Sequence, residues 1–142
     1  MGMENVEDKT LWLSPLVLDR GFGVQFRDDH VHVELGKDFK PEKGHRQELW
    51  DVIGDACEKH NSRRVLVEGF LPAGERETTD VIDAGQKTAT VPNLWLAFAI
   101  SDFQPTAATE LYIAIAASRS VRVKFFTDRE QALKWLRHNS PQ

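Results

Sequence analysis

Regular alternation of apolar and polar residues starts at Gly21. In GFGVQFRDDHVHVELGKDF, Val24 and Phe26, then Val31, Val33 and Leu35, share one face of two strands separated by the polar run Arg27-Asp28-Asp29-His30. The pattern predicts a β-hairpin with one buried face. The period then lengthens: in PEKGHRQELWDVIGDACEKHNS, Leu49, Val52, Ile53, Ala56, Cys57 and His60 recur at helical spacing, and Pro41 suits a first turn that needs no amide donor. RRVLVEGF carries the unbroken run Val65-Leu66-Val67, the pattern of a strand buried on both faces in a parallel sheet.

The second half repeats this rhythm. LPAGERETTDVIDAGQKTATVPN opens on a Pro/Gly loop, offers Thr78 or Thr79 as the cap of a helix burying Val81, Ile82, Gly85 and Ala89, and stops at Pro92. LWLAFAIS is a second wholly apolar strand, and PTAATELYIAIAASRS returns to helical spacing through Ala108, Leu111, Tyr112 and Ile115. Val121, Val123 and Phe125 alternate with Arg122 and Lys124, which predicts a strand near the sheet edge with one wetter face. Thr127 and Glu130 have capping-box spacing ahead of a helix with Ala132, Leu133, Trp135 and Leu136 inward. The order ββαβαβαβα predicts an α/β domain: a mixed sheet with an N-terminal β-hairpin and about four helices, in two layers. One domain over 20–138 is expected, with residues 1–19 a partly ordered extension, in which Pro15 interrupts LWLSPLVL, and 139–142 a disordered tail.

Composition narrows the classes of function. The 142 residues are 41% hydrophobic and 28% charged, and the formal charge of −4 gives no overall attraction to nucleic acid or an anionic membrane. A single cysteine excludes an intramolecular disulfide, and the start of the chain lacks a basic-then-apolar leader, so a cytoplasmic protein without integral membrane contact is expected, as a monomer or homodimer.

The stretch IAIAASRSVRVKFFTDREQALKWL, with the preceding order of elements, resembles the STAS superfamily and within it the SpoIIAA-like group of small bacterial proteins, over roughly residues 20 to 138. Ser120 stands where that group usually has Gly after the arginine. The resemblance implies a non-enzymatic regulatory module that binds a protein such as a kinase or anti-sigma factor. The phosphorylated Asp-Ser-Ser/Thr-Gly motif of such modules is absent from VEGFLPAGERETTDVIDAG, leaving Thr78 and Thr79 as the nearest hydroxyls. The resemblance places the partner surface at Gly74, Glu75, Arg76, Thr78, Thr79 and Asp80, with Thr78 and Thr79 as candidate phosphoacceptors.

Other candidates come from the residues themselves. His30, His32 and Glu34 alternate along one strand face; these are metal-ligand types, but with Val31, Val33 and Leu35 facing the core the expected role is a solvated face, and no metal or other cofactor is assigned. Glu68 ends a central strand, the place where open α/β sheets form ligand crevices, and Phe70 and Phe103 complete a candidate crevice there. Arg119, Arg122, Lys124 and Arg129 are a candidate basic patch. Cys57, on an apolar stripe, reads as an inert core residue. An alternative function is a carrier or sensor that holds a small apolar or lipid-like ligand between sheet and helices, an idea prompted partly by the likeness of SpoIIAA-like domains to lipid-transfer lobes and favoured by the aromatics around FAISDFQP; a pocket of at least about 300 Å³ would mark such a carrier.

Overall fold

A computed structural model describes residues 21–37, 39, 43–71 and 77–140. The expected residues 1–19, the first-turn Pro41 and the partner-surface residues Gly74, Glu75 and Arg76 lie outside these. The predicted order of elements is the observed one: β1 (Phe22–Arg27), β2 (His30–Leu35), α1 (Lys43–Lys59), β3 (Arg64–Gly69), α2 (Thr78–Thr88), β4 (Trp95–Ala99), α3 (Ala107–Ala117), β5 (Arg122–Phe126) and α4 (Arg129–Asn139). The five strands form one mixed sheet in sequence order; β1 runs antiparallel to β2 and every other pair is parallel. Arg27 pairs with His30, so Asp28 and Asp29 alone turn the hairpin, with Asp28 in the left-handed region at φ 52°.

Three successive crossovers in the same direction along a sheet, each right-handed, put their helices on one face. That face carries the main core, where Val31, Val33, Val65, Val67, Leu96 and Val123 meet Leu49, Trp50 and Ile53 of α1 and Ala116 of α3. Helices α2 and α3 approach closely because Gly85 has no side chain: a Cβ there would lie 2.6 Å from Cγ2 of Ile115. α4 covers the other face, packing Ala132 and Leu136 on Leu66, Ala97 and Ala99. The two alanines of β4 leave room for the helix. The molecule therefore has three layers, where two were expected, because the run after β5 turns to the opposite face. That second cover also explains why Val65, Leu66 and Val67 are apolar in succession.

Both predicted caps shift. α4 is capped by Asp128, whose carboxylate accepts from the Gln131 amide at 2.8 Å, and Thr127 lies one residue outside it. α2 begins after Glu77 with no side-chain cap, so neither Thr78 nor Thr79 caps it. α3 ends in a Schellman turn, with the Val121 amide bonded to the Ala116 carbonyl and the Ser120 amide to that of Ala117. Ser120 holds φ 69° there, so the left-handed turn forms without glycine, at a cost of roughly 1 kcal/mol. The ordered domain runs past the expected boundary at 138: Asn139 is helical and Ser140 is buried, accepting at 2.6 Å from Nε of Arg64. No described helix is long and apolar enough to cross a membrane.

Candidate ligand pocket

The side chains that end β2, β3, β4 and β5 on the main-core face, Leu35, Val67, Phe98 and Phe125, do not meet the helices above them completely. They form the floor of a cavity of about 170 Å³ roofed by α1, α2 and α3. The site lies at the carboxyl ends of parallel strands, the edge at which open α/β sheets leave crevices. Leu49 and Ile53 of α1, Val81 and Ala84 of α2 and Ala108 of α3 make its wall almost wholly apolar. Phe98 and Phe125 stack with centroids 4.5 Å apart, and Phe103 stacks on the far side of Phe125 at the same distance. Leu71 lies at the rim.

Arg46, Thr88, Thr109 and Tyr112 interrupt this wall with polar groups. Arg46 of α1, 4% exposed, reaches α2 and donates to Asp80 at 2.7 Å and to Asp83. This pairing joins α1 to the first turn of α2 and neutralises the guanidinium. Tyr112 of α3 and Thr88 of α2 place their hydroxyls 2.6 Å apart, and burial pushes the phenol above its usual pKa. A larger cleft of about 350 Å³ lies at the opposite, amino end of the strands, lined by Asp55, Glu58, Asn61, Arg63 and Thr90. It borders Cys57, whose thiol burial drives up to about 11, far from the range of a reactive nucleophile.

The candidate crevice of Glu68, Phe70 and Phe103 is not brought together. Glu68 has the parity of Leu66 and faces the α4 side, whereas Phe103 packs on the main core. Phe70 lies between, 53% exposed, with the Lys37 ammonium 5.4 Å from its ring centroid. The basic patch is dispersed by pairing: Arg122 covers Trp95 at 4.9 Å, Lys124 covers Phe126 at 5.5 Å, and Arg129 donates to Glu68 at 2.7 Å. Arg119 is exposed in the turn after α3. Thr78 and Thr79 are exposed in the first turn of α2, and Asp80 is held by Arg46. Periodicity missed Arg46, Thr88 and Tyr112 as pocket groups; an arginine on the inward face of a helix, beside Leu49 and Trp50, was the available signal.

The solvated face expected for His30, His32 and Glu34 is the clearest correction. His30 and His32 are 1% and 2% exposed, because β2 is buried on both faces. The Nδ1–H of His30 donates to Asp29 at 3.1 Å, and Asp29 also accepts from Arg64 at 2.9 Å and from Arg137 at 3.0 Å, tying the hairpin tip to α4. Burial raises the Asp29 carboxyl, but the hydrogen bonds from Arg137 and His30 outweigh it and leave the pKa lowered. Glu34 and Glu68 face opposite ring nitrogens of His32, at 3.6 and 3.7 Å, and among the described residues no three such side chains converge as a metal site. Burial, then its neighbour Glu68, raises the Glu34 carboxyl.

Burial drives His32 down to about 3 and also lowers His30 against the pull of Asp29. Such a histidine takes up a proton on unfolding, so the stability it contributes is full above its unfolded pKa of about 6.5. That stability is lost as pH falls below 6.5, the loss for His32 ending only near pH 3. Glu34 works in the opposite sense, so the readout is the difference between proteins. His32→Gln is expected to flatten the dependence of urea-unfolding free energy on pH below 6.5 by up to roughly 1.4 kcal/mol per pH unit. Parallel profiles for the two proteins would contradict this.

No protein-family model, no curated protein and no solved structure matches the chain.

Proposed function

We propose that this protein is a non-catalytic binding module of the STAS type, a sensor that takes one small apolar molecule of about single-ring size between its sheet and helices α1 to α3. The observation that carries the reading is the apolar cavity of about 170 Å³ at the carboxyl ends of the strands. A dry cavity of about 150 Å³ lined by aliphatic and aromatic side chains is enough to hold benzene, whereas drug-sized ligands need about 300 Å³ or more. The volume thus favours one ring or a short branched chain over a lipid. The hairpin followed by three parallel crossovers supports the STAS likeness.

A protein partner has its place in the same reading. Leu71 and Val81 line the cavity and Asp80 is bonded to its wall through Arg46, so these three residues offer a rim beside the ligand. Phe70, the one large hydrophobic side chain exposed among the described residues, adjoins it. Occupancy of the cavity is then read by a regulatory protein at this rim.

Thermal unfolding with toluene tests the ligand half. At about 100 times its Kd a ligand adds about 2.7 kcal/mol, a rise in midpoint of roughly 5–10 °C for a chain of this size. Ala108→Phe, which fills the cavity from α3, is expected to fold and to lose that rise. No shift in the wild type, or an equal shift in the variant, would overturn the reading.

A further inference from the structure

The direction of one hydrogen-bond chain in the cavity wall sets which ring-sized ligands fit, an inference that rests on the binding reading above. The Thr88 hydroxyl lies 2.9 Å from the Ala84 carbonyl and 2.6 Å from the Tyr112 hydroxyl. A carbonyl only accepts, so the single Thr88 proton goes to Ala84, back along the helix. Thr88 must then accept from Tyr112, and the phenol proton is committed to it. What Tyr112 has left is acceptor capacity on its oxygen, and the residue lines a mostly apolar cavity. The neighbouring Thr109 hydroxyl adds no proton, since it donates to the Thr106 carbonyl at 2.8 Å. Nor is the Arg46 guanidinium open to an anionic ligand, since it already donates to two carboxylates, Asp80 and Asp83.

We infer that the ligand is a neutral, ring-sized molecule bearing one hydrogen-bond donor, an O–H or N–H, which it gives to the Tyr112 oxygen while its apolar body fills the space among Leu49, Ile53, Phe98 and Phe125. Phenols and azole or indole rings are of this class. A site with a buried acceptor favours a ligand that supplies the donor over an otherwise similar one that lacks it, because desolvating an acceptor without replacing its water is unfavourable.

Phenol, toluene and benzoate are the probes, titrated by calorimetry into the wild type, Tyr112→Phe and Thr88→Val. Tyr112→Phe removes the acceptor and leaves Thr88 still bonded to Ala84, so the fold is retained. Phenol is expected to weaken about tenfold in this variant while toluene changes less than twofold. Thr88→Val frees the phenol proton to point into the cavity, so benzaldehyde, an acceptor of similar size, is expected to gain several-fold over its wild-type affinity. Benzoate is expected to bind at least tenfold more weakly than phenol to the wild type. Equal weakening of phenol and toluene by Tyr112→Phe, or of neither, overturns the donor requirement but leaves the pocket standing, as does benzoate binding as tightly as phenol. Failure of both phenol and toluene to bind the wild type overturns the pocket itself.

Discussion

Arg46→Met is expected to lower the stability of the folded protein by about 3 kcal/mol, read as a fall in the urea midpoint at unchanged slope. The methionine keeps the packing of the arginine stem against α1 and removes only the charge. What it leaves behind is a pair of carboxylates, Asp80 and Asp83, at the junction of α1 and α2 without the guanidinium that bridged them. Removing one partner of a buried ionic cluster costs about 3–5 kcal/mol because the remaining charge is no longer compensated. Both aspartates keep some contact with water, which places the effect at the low end. The same reasoning predicts rescue: adding Asp80→Asn and Asp83→Asn to Arg46→Met should restore most of the loss, since an uncharged cluster has little to compensate. Equal instability of the single and triple variants would show that the guanidinium acts through packing and not through charge.

Gly69→Ala is expected to lose about 2–6 kcal/mol, the sum of two effects of roughly 1–3 kcal/mol each. Gly69 has φ 111°, a conformation open to glycine and strained for any residue with a Cβ. A Cβ built there would also land on the backbone of Leu35, 2.8 Å from its nitrogen and nearer still to its carbonyl oxygen. Backbone atoms in a paired strand cannot yield as a flexible side chain does. Two residues after Gly69, Leu71 lines the cavity, and the Phe70 amide closes the corner by donating to the Leu35 carbonyl at 3.0 Å. Loss of ligand binding is therefore expected along with the loss of stability. A variant as stable as the wild type in thermal unfolding would contradict the geometry at this corner.

The order of elements was legible because each strand and helix carries its own period. Apolar runs such as Val65-Leu66-Val67 and Leu94 to Ile100 can be read locally, and so can the stripe Leu49, Ile53 and Cys57. Parity was harder. His30, His32 and Glu34 read as a wet face because their side chains are polar, yet the sheet has a second cover that encloses both histidines and leaves only Glu34 in contact with water. Burial of polar residues is decided by partners far along the chain: Asp29 meets Arg137 across 108 residues, and Arg46 meets Asp80 and Asp83 across 34 and 37. No local window contains both members of such a pair. The caps failed for a smaller reason. Thr127 and Asp128 are neighbouring residues of cap-forming type, and the choice between them rests on which one sits in extended geometry immediately before the helix; Asp128 does, at φ −141° and ψ 154°.

The cavity was legible only in outline. Aromatic residues in FAISDFQP suggested a space between sheet and helices, but its volume follows from how Phe98, Phe125 and Phe103 stack and from how near Gly85 lets α3 come to α2. The hydrogen-bond direction from Tyr112 through Thr88 to Ala84 joins two helices and has no signature in either alone.

The measurement that bears most directly on the binding module is a methyl-resolved NMR titration of the protein with phenol. Saturable shifts are predicted for the methyl groups of Leu35, Leu49, Ile53, Val67 and Val81, which line the cavity, with Leu133 and Leu136 beneath α4 unmoved. Shifts confined to the α4 side, or none at ligand concentrations that saturate a millimolar site, would contradict the account.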